Sequence, residues 1–234
     1  GRVTWRRDWR GILRWPAARL ARLAGLGGMG GAAMAGAWSG TTPLVLVAGG
    51  CLFVAALEAT EGLAQDIDHP DRLAAVPAPA GAVHLRHLAA PTVVLAAVGV
   101  VGVVVAAVVS RQYRLAVEAG LPLVVPAGAV AAGAAAVSEL KGPPQPGLLS
   151  ADATGLGFVL RQALPPLLAT AGPAAALLLV REEIDNRPDV SVAVLGGNAA
   201  FTVALLLVMI LGWVRHREGL AQFQAGEGLA GVGR

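Results

Sequence analysis

The chain has 234 residues, of which 56% are hydrophobic and 14% charged, with a formal net charge of +3. A soluble domain carries about 25% charged residues and has to cover its surface with polar groups. So large a shortfall of charge excludes a soluble catalytic domain and calls for an apolar surrounding, of which lipid is the simplest.

Alanine, valine, leucine and glycine supply the hydrophobicity, and aromatic residues make up 4%. Small residues let helix backbones approach closely where the hydrophobic effect does not drive them together. A GC-rich coding sequence would favour the same residues. Cys51 is the one cysteine, so neither an intramolecular disulfide nor a thiolate metal site can be built. The chain opens Gly1-Arg2 with no Met and no secretory signal pattern, as a piece cut from a longer polypeptide would.

The first segment, residues 1–16, reads as an amphipathic helix lying on the membrane surface. Its apolar residues Trp5, Trp9, Ile12 and Leu13 fall at helical spacing, and Arg6, Arg7, Arg10 and Arg14 fill the rest. Trp5, Trp9, Arg6, Arg10 and Arg14 are therefore the expected interfacial anchor, with membrane lipid as partner. Pro16 is suited to starting the next helix.

Six apolar stretches follow in residues 17–217, against the roughly 20 residues that a span needs. The first, Ala17–Trp38, is rich in glycine and holds Arg19 and Arg22, which are expected to snorkel toward the headgroups. The others are Thr42–Leu57, Pro91–Ser110, Leu121–Val137, Phe158–Val180 and Val190–Val214. Pro165, Pro166 and Pro173 are expected to kink the fifth. The predicted fold is thus an all-α, polytopic bundle of about six spans preceded by an interfacial helix, with a glycine-rich tail at 218–234. The polar connections are Glu58–Ala90, Arg111–Gly120, Ser138–Gly157 and Arg181–Asp189, with a short link at Ser39–Thr41.

Six spans put both termini on one side. That side then holds thirteen of the eighteen Lys and Arg residues, and the other holds Arg111, Arg114, Arg181 and Arg187. Cytoplasmic loops carry the excess of positive charge, so both termini and the loop 58–90 are expected in the cytoplasm, at the cell membrane.

That loop is the most informative polar region. Glu58, Glu61 and Gln65 share one helical face, which continues the second span out of the membrane, and Asp66 and Asp68 follow before Pro70 stops the helix. His69, His84 and His87 lie in the same loop with the acids, a set that could ligate a borderline metal but more often is solvated or hydrogen-bonded. Glu182, Glu183, Asp185 and Asp189 mix with Arg181 and Arg187 in the manner of a solvated face. Ionisable residues are nearly absent from the spans, Arg161 at the start of the fifth being the exception, with Gln162 beside it, and Asn198 is the polar residue of the sixth. Such an interior argues against a proton-coupled pump. No P-loop, His-Glu-x-x-His or Gly-x-Ser-x-Gly pattern occurs, and Gly226-Glu-Gly228-Leu-Ala-Gly231 follows no strand. No catalytic residue, metal ligand or cofactor is expected, and the chain does not read as an enzyme or a nucleic-acid binder.

The order of parts, together with Arg7-Asp8-Trp9-Arg10-Gly11-Ile12-Leu13-Arg14 and Glu61-Gly62-Leu63-Ala64-Gln65-Asp66-Ile67-Asp68-His69-Pro70, resembles the membrane subunit of an ABC-2 type exporter of the actinobacterial permease kind. The resemblance covers nearly the whole chain. It departs at Arg181–Asp189, which is short and charged where the family has helices on the outer side. It implies that residues 1–16 are the elbow helix on the inner leaflet. It also implies that Glu58, Glu61, Gln65, Asp66 and Asp68 form or flank the coupling region for a separate ABC ATPase subunit. A second permease half, or a homodimer, would complete the transporter. The rival readings are a scaffold or assembly subunit of a membrane complex and a membrane-embedded lipid-modifying enzyme.

Overall fold

The computed structural model describes residues 2–68, 79–140, 156–185, 197 and 199–215. The described residues fold into helices with no strand. In chain order these are α1 (Arg2–Ile12), α2 (Ala17–Trp38), α3 (Leu44–Ala59), α4 (Glu61–Asp68), α5 (Ala80–Arg86), α6 (Ala89–Ser110), α7 (Tyr113–Leu140), α8 (Leu156–Ala169), α9 (Ala171–Asp185) and α10 (Ala199–Arg215). His69, Pro70, Arg187, Asp189, Asn198 and the tail 218–234 lie outside the described residues, as do the side chains of Arg161, Arg181, Glu182, Glu183 and Asp185.

Two stretches, Gly81–Ser110 and Tyr113–Leu140, are each long and apolar enough to cross a membrane. The number rises to four when the bent pairs α3–α4 and α8–α9 each count as one span. α2 has the length, at 22 residues, but its glycines and two arginines dilute its hydropathy. α10 is apolar but shorter.

Short turns make neighbours antiparallel. α2 and α3 are joined through Gly40, whose φ of +114° lies in the region that favours glycine. α6 and α7 are joined by Arg111 and Gln112 alone, with Arg111 at φ +58° closing α6 in the left-handed conformation. The fourth rod therefore begins at Tyr113, eight residues before Leu121, and the expected polar link Arg111–Gly120 is mostly helix. Its first turns widen into a π segment at Ala116–Gly120. Pro122 explains this, since it has no N–H to donate to the Glu118 carbonyl and its ring would clash there.

The same rule relocates the break in the fifth rod. Helix α8 passes through Pro165 and Pro166, and the chain bends 41° at Thr170. Pro173 cannot donate to the Ala169 carbonyl, so the bond that would bridge the break is missing. The Thr170 hydroxyl donates to Leu167 O at 2.6 Å, a carbonyl that also accepts the Thr170 N–H. Gly49 on α3 leaves the room that Thr170 occupies; a Cβ there would overlap it.

Side chains are arranged inside out relative to a soluble protein. Small residues such as Ala55, Ala56, Ala131, Ala132, Ala134 and Ala135 are buried, while Val100, Val104, Val108, Leu178, Phe201 and Met209 face outward. That arrangement suits lipid, where large apolar groups gain nothing by turning inward and packing rewards close backbones. The tightest approach is between α2 and α6. A Cβ on Gly27 would lie 2.7 Å from Val98 O, and one on Gly31 would overlap the Gly102 backbone. Gly128 brings α7 onto α6 at Leu95 and Ala96 in the same way, and Gly133 accepts Ile210 of α10.

Gly31→Val is expected to force α2 off α6 and to cost about 2 kcal/mol or more, by the cost of overpacking a close-packed core. Gly25→Ala, where a Cβ meets nothing within 4 Å, should be neutral or stabilising. Thermal unfolding of both variants in detergent checks this contrast; equal behaviour would remove the packing argument.

Candidate functional site

Charged side chains gather at one end of the bundle, where α1, the start of α2, the α3–α4 corner and the head of α6 meet. α4 does not continue α3 straight out, as the shared face of Glu58, Glu61 and Gln65 implied, but turns 53° from it at Thr60. The Thr60 hydroxyl donates to Ala56 O at 2.9 Å, beside the Thr60 N–H, which donates to the same carbonyl of the last turn of α3. Turned this way, α4 presents Leu63 and Asp66 inward and Glu61, Gln65 and Asp68 outward.

His87, at the α5–α6 junction, is the hub. Its side chain is 2% exposed, beside Asp66 at 7% and Asp8 at 10%. Nδ1 lies 3.0 Å from both carboxylate oxygens of Asp8, on α1. Nε2 lies 3.0 Å from Asp66 Oδ2, on α4. Arg7 Nη2 donates to the same Asp66 oxygen at 2.5 Å. Three elements distant in sequence are thus tied through one imidazole. Arg7 Nη2 also lies 3.2 Å from His87 Nε2, a contact in which the guanidinium donates and the ring nitrogen accepts.

A second set lies beside the first. The Arg19 guanidinium donates to the Glu61 carboxylate and to the Glu58 backbone carbonyl, and stacks over Trp15 at 4.1 Å. Arg22 Nε pairs with Glu58 Oε1 at 2.6 Å. The two sets line a cleft of about 400 Å³ whose walls include Ile12, Trp15, Leu63 and Pro91.

The predicted coupling residues are therefore split. Glu58 and Glu61 hold α2, Asp66 holds α1 and α6, Gln65 reaches Glu61 at 3.5 Å, and Asp68 is exposed at the end of α4. Arg19 and Arg22, read as snorkelling toward headgroups, end on these acids instead. Of the interfacial anchor, Trp5 and Trp9 meet edge to face at 5.5 Å, with Trp9 half-buried. Arg6, Arg10 and Arg14 are exposed on the other side. Among the described residues no group of three or more His, Cys, Asp or Glu converges as metal ligands would. Asp8 and Asp66 sit on opposite nitrogens of His87, and His84 is buried separately on α5.

Asp8 and His87 were not singled out as a pair by the sequence. One signal was present: Asp8 is the lone acid in an arginine-rich segment, where a solvated helix gains nothing from it. A second was the match of Arg19 and Arg22 to Glu58 and Glu61, each pair three residues apart, on helices that a short turn makes antiparallel. Comparison with known protein families, with curated proteins and with solved structures finds no match to this chain.

Asp66→Ala would remove the buried carboxylate that Arg7 and His87 share, and a cost of about 1–3 kcal/mol is expected. Removing Glu118, which pairs with Arg114 at the exposed other end at 2.8 Å, should cost only about 0.3–0.5 kcal/mol. Thermal unfolding of the two single variants tests the ranking, and an Arg7→Ala/Asp66→Ala cycle isolates the pair.

Proposed function

We propose that this chain is the membrane-spanning permease subunit, or one half, of an ABC-type exporter, driven by a separate ATPase that docks on residues 58–90. The observation that carries the reading is α4. It is a short helix turned 53° off the rod that precedes it, with Glu61, Gln65 and Asp68 outward and Asp66 clamped to α1 and α6. A helix so placed transmits a push. Force on its outer face reaches the leading helix through Asp66 and Arg7, the third rod through His87, and the first rod through Glu61 and Arg19. In this reading α2 and α10 join the four longer or bent rods to make six spans, with both termini in the cytoplasm and the chain in the cell membrane. α1 is the elbow helix, with Arg6, Arg10 and Arg14 toward anionic headgroups. ATP is bound and hydrolysed by the partner, and a second copy or half completes the pathway.

One observation favours the rival reading of a scaffold subunit. The cavity between α2, α3, α6, α7 and α9 is only about 110 Å³ and almost wholly apolar, lined by Gly27, Gly31, Gly102 and Gly128 among others. A non-transporting subunit needs no wider path.

Asp68→Arg reverses a charge on the outer face of α4 without touching the clamp. It is expected to weaken co-purification of the ATPase by about tenfold or more, since like charges across an interface cost several kcal/mol. The folded state, read by thermal unfolding, should be unchanged. ATPase retention at the parent level would remove α4 as the docking surface. Co-purification of another stable partner, with no ATPase, would establish the scaffold reading.

A further inference from the structure

We propose that the cleft between α1 and α4 binds a zwitterion of the phosphoethanolamine kind, with its phosphate on Arg7 and its primary ammonium on Glu61. The inference does not depend on which partner docks on α4.

Most of the charged groups around the cleft are withdrawn from water and bonded to one another. Two are not withdrawn. Arg7, on α1, is 55% exposed, and Glu61, on α4, is 50% exposed. Both line the same cavity of about 400 Å³, a size within the range of small-molecule sites.

Each of the two has bonding capacity left over. A guanidinium carries five N–H donors. Arg7 spends Nη2 on Asp66 and on His87, its Nε lies 4.0 Å from Asp8, and its Nη1 bonds to none of the described residues. The N–H groups of Nη1 suit the oxygens of a phosphate. An ionised carboxylate has about four acceptor sites. Glu61 accepts from Arg19 through Oε2 and from Gln65 through Oε1 at 3.5 Å, which leaves sites for the N–H donors of an ammonium. Arg19, in the same wall, has its Nε buried without a partner, a cost that a ligand oxygen would relieve.

A ligand of one sign fits poorly. A lone anion on Arg7 meets the carboxylates of Asp8, Asp66 and Glu61, and a lone cation on Glu61 meets the guanidinium groups of Arg7 and Arg19. A ligand that carries both charges a few bonds apart answers both walls. The rest of the lining, with Ile12, Trp15, Leu63 and Pro91, is apolar and suits the ligand's carbon atoms. The helices also leave the space open. A Cβ on Gly11 of α1 would meet nothing within 4 Å, and one on Gly62 of α4 would meet only Asp8 Oδ1, at 4.0 Å. The same headgroup chemistry is found on a phospholipid and on a free solute.

The test uses the full chain in detergent micelles. Calorimetric titration compares O-phosphoethanolamine with ethanolamine alone and with inorganic phosphate alone, and the zwitterion should bind about tenfold or more tighter than either. Native mass spectrometry of the same chain, offered equal amounts of ethanolamine, choline and glycerol phospholipids, separates the sources. Preferential retention of the ethanolamine lipid assigns the site to a lipid headgroup; binding of the free zwitterion with no lipid preference assigns it to a solute. The choline lipid should be retained less, because a quaternary ammonium has no N–H for Glu61. Gly11→Leu fills the cleft without touching an ion pair, and should weaken binding about tenfold or more at unchanged thermal unfolding. Ethanolamine or phosphate binding as tightly as the zwitterion overturns the proposal. So does the absence of both zwitterion binding and ethanolamine-lipid preference, or a folded Gly11→Leu chain that binds as the parent does. The parent titrations decide the matter if the variant does not fold.

Discussion

The contact between the α2 and α6 backbones at Gly27, Gly31, Val98 and Gly102 is the constraint around which the rest of the bundle is arranged. In an apolar surrounding there is no gain from hiding a leucine, so cohesion has to come from dispersion between surfaces brought very close. A missing Cβ at Gly31 permits that approach. Once α2 and α6 are at this spacing, the short turns place α3 beside α2 and α7 beside α6, and Gly128 and Gly133 repeat the device for α7 against α6 and α10. The glycines that make α2 read as a feeble span are the ones that make it central to the packing.

The close packing delivers charged residues to one end. α2 begins and α3 ends there, α6 begins there, and α1 and α4 lie against those ends. Arginines that would otherwise seek headgroups meet acids from another helix: Arg19 and Arg22 meet Glu61 and Glu58, and Arg7 meets Asp66. Exposed ion pairs contribute little, but the group around His87 is mostly withdrawn from water, where a correctly matched set specifies an arrangement even if it adds little net stability. A bundle of near-featureless Val and Ala faces has few other means of fixing how α1 and α4 dock.

Much of the helix layout was legible from residue pattern. Long apolar runs, Pro16 as a helix start and the amphipathic spacing of Trp5, Trp9 and Ile12 all have local causes, and the structure carries helices at those places. The misplacements also have local causes, read too coarsely. Arg111–Gly120 looked like a loop because it is polar, yet Arg114 and Glu118 are an i,i+4 pair on a helix. Of the three prolines expected to kink the fifth rod, Pro165 and Pro166 lie within α8, and the bend falls at Thr170, where Pro173 removes the donor for Ala169 O and Gly49 opposite leaves space.

By itself the sequence determined that the chain is helical, that its helices suit an apolar surrounding and that its acids and arginines concentrate outside the long apolar runs. These follow from composition and from periods of a few residues, which need no partner to be read. Only the tertiary structure decided that Asp8, Asp66 and His87 form one cluster and that α4 turns its Asp66 inward and its Asp68 outward. Those facts depend on a 53° turn at Thr60 and on how far the glycines of α2 let it approach α6. Arg7 and Asp66 are 59 positions apart and Asp8 and His87 are 79 apart, with no period that links them along the chain.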